Sequence, residues 1–129
     1  MTSINTPATP NGDLALRVSA MPRDTNCDGD IYGGWLLSQM DLAGMVLARK
    51  VSAGRVATVG IGSMGFIRPV PVGAVVSCYT CLVETGRTSM KIAVEVWIET
   101  TELSEPAKVC EGEFWYVAIS SEGKTRPIP

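Results

Sequence analysis

The stretch from Trp35 to Lys50 is the one part of this chain with the make-up of a long helix, and it is apolar nearly all the way round. Gly33 and Gly34 open it, no proline interrupts it, Gly54 lies just beyond it, and Leu, Met and Ala fill it. On a helical wheel Leu36, Leu37, Met40, Ala43, Gly44 and Leu47 share one broad face. Trp35, Leu42 and Val46 carry the apolar character around the back, broken by Ser38, Gln39, Arg49 and Lys50. A helix of this kind is buried on nearly every side. A sheet can wrap one side, and a second subunit is the simplest cover for the other.

The rest of the chain reads as strands. Leu14, Leu16 and Val18 alternate with Ala15, Arg17 and Ser19, a first strand that stops at Met21-Pro22, and a turn-rich stretch follows over 23–30. After the helix, strands are expected over 55–67, 74–84, 90–100 and 108–120. The third of these alternates cleanly, with Ile92, Val94, Val96 and Ile98 on one face and Lys91, Glu95 and Glu99 on the other. Residues 85–88 form a hairpin turn, 102–106 a wider one, and Pro69 and Pro71 mark the break before the second. The order predicts an α+β domain: one strand, one long helix, then four strands in an antiparallel meander with the helix as cover. A single domain is expected over 13–129, after a frayed tail over 1–12 rich in Thr, Pro and Asn.

Composition narrows the chemistry. Apolar residues at 46% against 19% charged are generous for a 129-residue domain, which points again to apolar surface buried between subunits. The net charge of −2, without any basic run, offers nothing to a phosphate backbone, so no nucleic-acid partner is expected. There is no signal-peptide pattern and no apolar run long enough to span a membrane. Four cysteines in a domain of this size fit reduced thiols in the cytoplasm better than a disulfide scaffold. Above all, the chain has no histidine, which excludes Ser-His and Cys-His nucleophiles, His-ligated zinc and any His base. A hydrolase built from this sequence must activate water with a carboxylate or a metal.

One carboxylate stands out. Asp41 lies mid-helix, in a stripe with Gly34, Leu37, Met45 and Ala48. It either reaches solvent at an edge or lines a ligand cavity, where desolvation would make it a stronger base. At the helix start, the free amides of Gly33 and Gly34 point along the axis with the positive end of the dipole, suited to a carbonyl oxygen gaining charge. A loose loop-to-helix junction would account for the two glycines as well. A rise of about 1.5 Å per residue sets Asp41 about 10 Å from Gly34, too far for both to touch one carbon. If both act, they act from different subunits across a dimer interface.

Three other patterns fail on context. Gly60, Gly62 and Gly65 spell GxGxxG, but Pro69 and Pro71 follow where a helix should open. Residues 24–29 begin like a calcium loop whose twelfth position is Trp35, so no metal site is expected. Cys78 and Cys81 form a CxxC whose odd spacing on a strand sends the thiols to opposite faces.

Taken together, Met21-Pro22, Asp24-Thr25-Asn26, the run Gly29-Asp30-Ile31-Tyr32-Gly33-Gly34-Trp35 and Ser38-Gln39-Met40-Asp41 resemble the YciA-type bacterial acyl-CoA thioesterases. That family belongs to the hotdog superfamily, with the mammalian brain-type acyl-CoA hydrolases. Thr58, Phe66-Ile67-Arg68-Pro69, Gly86-Arg87-Thr88-Ser89 and Glu95-Val96-Trp97 match as well, so the likeness covers nearly the whole chain from Gly12. It implies a hotdog fold of about five strands wrapped around one helix, dimers assembled as trimers of dimers, and hydrolysis of acyl-CoA to fatty acid and coenzyme A without a cofactor. On the same ground Asp41 is the catalytic carboxylate, Asn26 holds the thioester or the water from the opposite subunit, and Gly34 supplies the oxyanion amide. An Asx turn would explain Asn26 equally well. Gly33, Thr58, Arg68, Gly86, Arg87, Thr88 and Ser89 are expected to contact substrate or coenzyme A. Two rivals are an acyl-CoA sensor, which usually carries a DNA-binding segment, and a dehydratase or isomerase, against which the missing histidine counts.

Overall fold

A computed structural model describes residues 9–129. The elements run β1 (Asp13–Ser19), a 3-10 turn (Pro22–Asp24), α1 (Gly33–Ser52), β2 (Val56–Phe66), β3 (Val75–Thr85), β4 (Ser89–Glu99) and β5 (Ala107–Ala118). The strands make one antiparallel sheet in the order β1-β3-β4-β5-β2. Since β1 and β2 occupy opposite edges, the connection between them must cross the sheet, and α1 makes that crossing while touching all five strands. This is the expected architecture. Of the expected tail, residues 1–8 lie outside the described residues. The Asn11 N–H donates to Glu95 Oε1 at 3.1 Å, so the chain already lies against the sheet just before β1.

The expected meander holds only for β3, β4 and β5. β2 pairs with β5 and not with β3, its neighbour in sequence. The physical reason is the link over 67–74: Pro69 and Pro71 donate no backbone hydrogen bond and favour an extended path, and Val70 and Ala74 are buried along it. Gly73, at φ +92, turns the chain so that its N–H reaches Ala20 O at 2.7 Å, next to β1. The link therefore carries the chain back across the sheet instead of closing a hairpin.

β4 shows why the sheet buries one face. Met90, Ile92, Val94 and Val96 are fully buried and Ile98 is 2% exposed, whereas the residues between the first four are half-buried at most. Each such aliphatic side chain contributes about 1.5–3 kcal/mol through burial. On β3 the predicted parity is borne out, with Cys78 buried, Cys81 partly exposed and both thiols free. β2 shifts register at Thr58/Gly60 and again at Ile61/Met64, which accounts for its glycine content as bulge sites.

α1 runs to Ser52, two residues past the expected end at Lys50, and closes on Ala53 in the left-handed region at φ 58. Arg126 stabilises this end. Its guanidinium donates to Ser52 O at 2.8 Å, Ile119 O at 2.9 Å and Arg55 O at 3.2 Å, bringing positive charge to the helix C-terminus. On the other flank Leu42 and Val46 are 52% and 46% exposed, so the helix face that the sheet leaves uncovered is apolar at its centre, between exposed Ser38 and Arg49. Replacing Arg126 with Ala should lower stability by about 2–3 kcal/mol through loss of charged hydrogen bonds at the helix end. Thermal unfolding checks this, and an unchanged melting temperature would show that the clasp contributes nothing.

Candidate active site

Asp41 lies on the half-buried flank of α1 that faces β2 and β5. Thr58 Oγ1 donates to Asp41 Oδ1 at 2.7 Å. The Tyr116 hydroxyl lies 2.8 Å from the Asp41 main-chain oxygen and 3.1 Å from Asp41 Oδ1. Thr58 and Tyr116 face each other across the β2–β5 ladder, so strand register itself sets the two hydroxyls side by side beneath the helix. Tyr116 is fully buried. Burial, then the charge of Asp41 and the hydrogen bond to it, push its phenol well above the usual tyrosine range. The phenol is therefore a fixed donor. Both hydroxyls converge on Oδ1, and Oδ2 has no hydrogen-bond partner among the described residues. A carboxylate tethered through one oxygen and open at the other can accept a proton or attack an electrophile.

The other expected residues fall into two groups. Asn26 sits exposed in the loop leading to α1, and its Oδ1 accepts from the N–H groups of Asp28 at 2.9 Å and Asp30 at 3.1 Å. The Asx-turn reading is thus borne out, while Asn26 Nδ2 has no partner among the described residues and is free to donate. At the start of α1, Tyr32 gives no side-chain cap. The N–H groups of Trp35 and Leu36 turn back to Tyr32 O at 3.1 and 3.4 Å, leaving those of Gly33 and Gly34 outside the helical ladder. Gly33 and Arg68 line one cavity of about 430 Å³, with Leu36 and Phe66 in its wall.

Gly86, Arg87 and Thr88 lie in the turn between β3 and β4, and Ser89 begins β4. Ser89 faces Val117 and Met90 faces Tyr116, so this turn sits one step from the row that holds Thr58 and Tyr116. Within one chain the fold thus gathers Asp41, Thr58 and residues 86–89 on one side, and Gly33, Gly34 and Arg68 at the N-terminal end of α1. Thr58, expected to contact substrate, gives its hydroxyl hydrogen to Asp41. A larger recess of about 680 Å³ on the outer face of the sheet, lined by Trp97, Glu95 and Lys108, reaches Arg68 but not Asp41.

Sequence reasoning missed Tyr116. It read the residue only as part of a strand, since nothing in the sequence sets position 116 beneath Asp41 and Gly44. The buried thiols offer no rival nucleophile, since burial pushes Cys78 up to about 12 and Cys110 up to about 11.

The family profile described as the thioesterase superfamily matches residues 28–105. The acyl-CoA thioester hydrolase YciA of Escherichia coli (strain K12) is 52% identical over 124 residues, covering 93% of both proteins. The hexameric thioesterase of Yersinia pestis superposes with a TM-score of 0.89 at 45% identity, covering 94% of this chain and 99% of that one. A hexameric hotdog fold thioesterase of Campylobacter jejuni gives 0.86 at 39% identity, covering 92% and 91%. One helix laid across a five-stranded antiparallel sheet is the hotdog fold, and the chain belongs to the thioesterase superfamily, among the acyl-CoA thioester hydrolases.

The phenol of Tyr116 should stay protonated well past pH ~10, where free tyrosine ionises. In spectrophotometric titration of the folded protein, Tyr116→Phe should leave the tyrosinate absorbance that develops near that pH unchanged. A clear drop in its amplitude would mean that Tyr116 titrates like a solvated phenol.

Proposed function

We infer that the protein hydrolyses acyl-CoA thioesters to a free carboxylic acid and coenzyme A. The observation that carries this is the Asp41 carboxylate, held on one oxygen by Thr58 and Tyr116 and open on the other. In the proposed reaction a water attacks the thioester carbonyl carbon and Asp41 Oδ2 takes the proton. The Gly34 N–H stabilises the tetrahedral oxyanion. Collapse breaks the C–S bond, and the departing thiolate recovers the proton from Asp41. Asn26 Nδ2 orients the attacking water or the carbonyl. Gly33, Arg68 and the turn Gly86-Arg87-Thr88-Ser89 hold coenzyme A. The reaction as written calls on no metal or redox cofactor.

The site is shared. Asp41 and Gly34 lie about 10 Å apart along one rigid helix, so the carboxylate of one chain works with Gly34 and Asn26 of a partner. The bare apolar residues Leu42 and Val46 of α1, and Val59 and Ile61 on the free edge of β2, supply the surface for that association. The minimal unit is a homodimer, and the hexameric relatives support a trimer of dimers. No helix among the described residues is long and apolar enough to cross a membrane. The free thiols fit a cytoplasmic setting.

Free-thiol release from short, medium and long acyl-CoAs tests the activity. Wild type should turn over, and Asp41→Asn should lose at least about 100-fold in kcat with the oligomer intact. Retention of acyl-CoA without thiol release by wild type would move the reading to a sensor. The shared site has its own test. Asp41→Asn and Asn26→Ala chains, each nearly inactive alone, should recover up to about a quarter of wild-type activity when co-expressed, because half of random dimers carry one intact site. No recovery in mixed dimers would place the whole site within one chain.

A further inference from the structure

We propose that Tyr116 is the positioning residue for the Asp41 carboxylate, and that α1 carries glycine at position 44 so that the phenol can reach it. The inference rests on Asp41 acting as the base. Its first support is the pair of contacts: one hydroxyl lies 2.8 Å from the main-chain oxygen and 3.1 Å from Oδ1 of the same residue. A phenol has a single hydrogen to donate, and here it is shared between two acceptors on Asp41. The contact therefore ties the carboxylate to its own backbone and restricts rotation of the side chain. With Thr58 on the same Oδ1 at 2.7 Å, the carboxylate is fixed with Oδ2 turned outward.

The second support is independent of the hydrogen bonds. A Cβ added at Gly44 would overlap the Tyr116 hydroxyl and crowd its ring at 2.9 Å. Glycine in a helix interior is less favourable than alanine. Gly44 is also buried on the side of the helix that meets Tyr116, where an alanine would normally add packing. The three atoms nearest the missing methyl's place all belong to Tyr116, and the closest is its hydroxyl. Phenylalanine would fill the core beneath the helix as well as tyrosine does. What tyrosine adds is the one atom that meets Asp41, and what Gly44 adds is the room for it.

The test is Tyr116→Phe, which keeps the ring and removes only the hydroxyl. A hydrogen bond to a charged group is worth about 1.5–3 kcal/mol, so kcat should fall about 10- to 160-fold. KM should stay within about threefold, because substrate contacts are untouched. Wild-type kcat in this variant, or a loss that merely tracks loss of folded oligomer, overturns the proposal. Gly44→Ala supplies a second readout, since it should displace the phenol and lower kcat in the wild-type background. In the Tyr116→Phe background it should leave kcat nearly unchanged, even where it lowers stability, since no hydroxyl remains to be displaced. Equal losses of kcat in both backgrounds would show that Gly44 serves packing alone. Asp41→Asn run alongside separates the two readings. Inactive Asp41→Asn with fully active Tyr116→Phe removes only the positioning role, whereas active Asp41→Asn removes the base itself.

Discussion

The crossing of α1 over the sheet is the constraint from which the rest of the molecule follows. β1 and β2 stand at opposite edges, so the segment between them has to traverse the whole apolar face. A helix is the one regular element that can do so while satisfying its own backbone. Its underside meets the inward rows of all five strands, with the fully buried residues of β4 at the centre. The cost is that the opposite side of the helix stays bare, which Leu42 and Val46 make plain. Asp41 lies on the boundary between these two regimes. It is covered enough to be held by two hydroxyls from the sheet, and open enough for something to approach its other oxygen.

Much of this was legible in the sequence, and the reason is local periodicity. The alternation in β4 and the apolar wheel of α1 are each set within a dozen or so residues, so pattern alone recovers them. Asp41 stood out for the same reason, as a charge where the wheel allows none. The pairing of β2 was not legible, because it depends on where the proline-bearing link over 67–74 delivers the chain, with Val70 and Ala74 buried along it. Tyr116 was missed on similar grounds. Its meaning comes from a residue 75 positions away, through the hydroxyl contact with Asp41. Thr58 was singled out, but its contact with Asp41 was not foreseen. Its place on the chain marked it as important, while only the register with Tyr116 directs its hydroxyl to Asp41.

The link between chemistry and assembly follows from the stiffness of the helix. An amide at the start of α1 and a carboxylate two turns on cannot be brought to one carbon by any side-chain rotation, because the helix itself fixes their separation at about 10 Å. The free amides of Gly33 and Gly34 are useful only to a substrate arriving at the helix end, and Asp41 Oδ2 only to one arriving along its flank. A second helix running the opposite way would bring one of each together twice over, and two-fold symmetry provides that arrangement at no cost in sequence. The uncovered apolar residues lie on the same stretch of α1 as Asp41, Leu42 being the very next residue. The contact that would hide them is then the contact that would complete the site. On this view the hydrophobic excess that first pointed to association, and the lone carboxylate that first pointed to catalysis, are two consequences of a single helix.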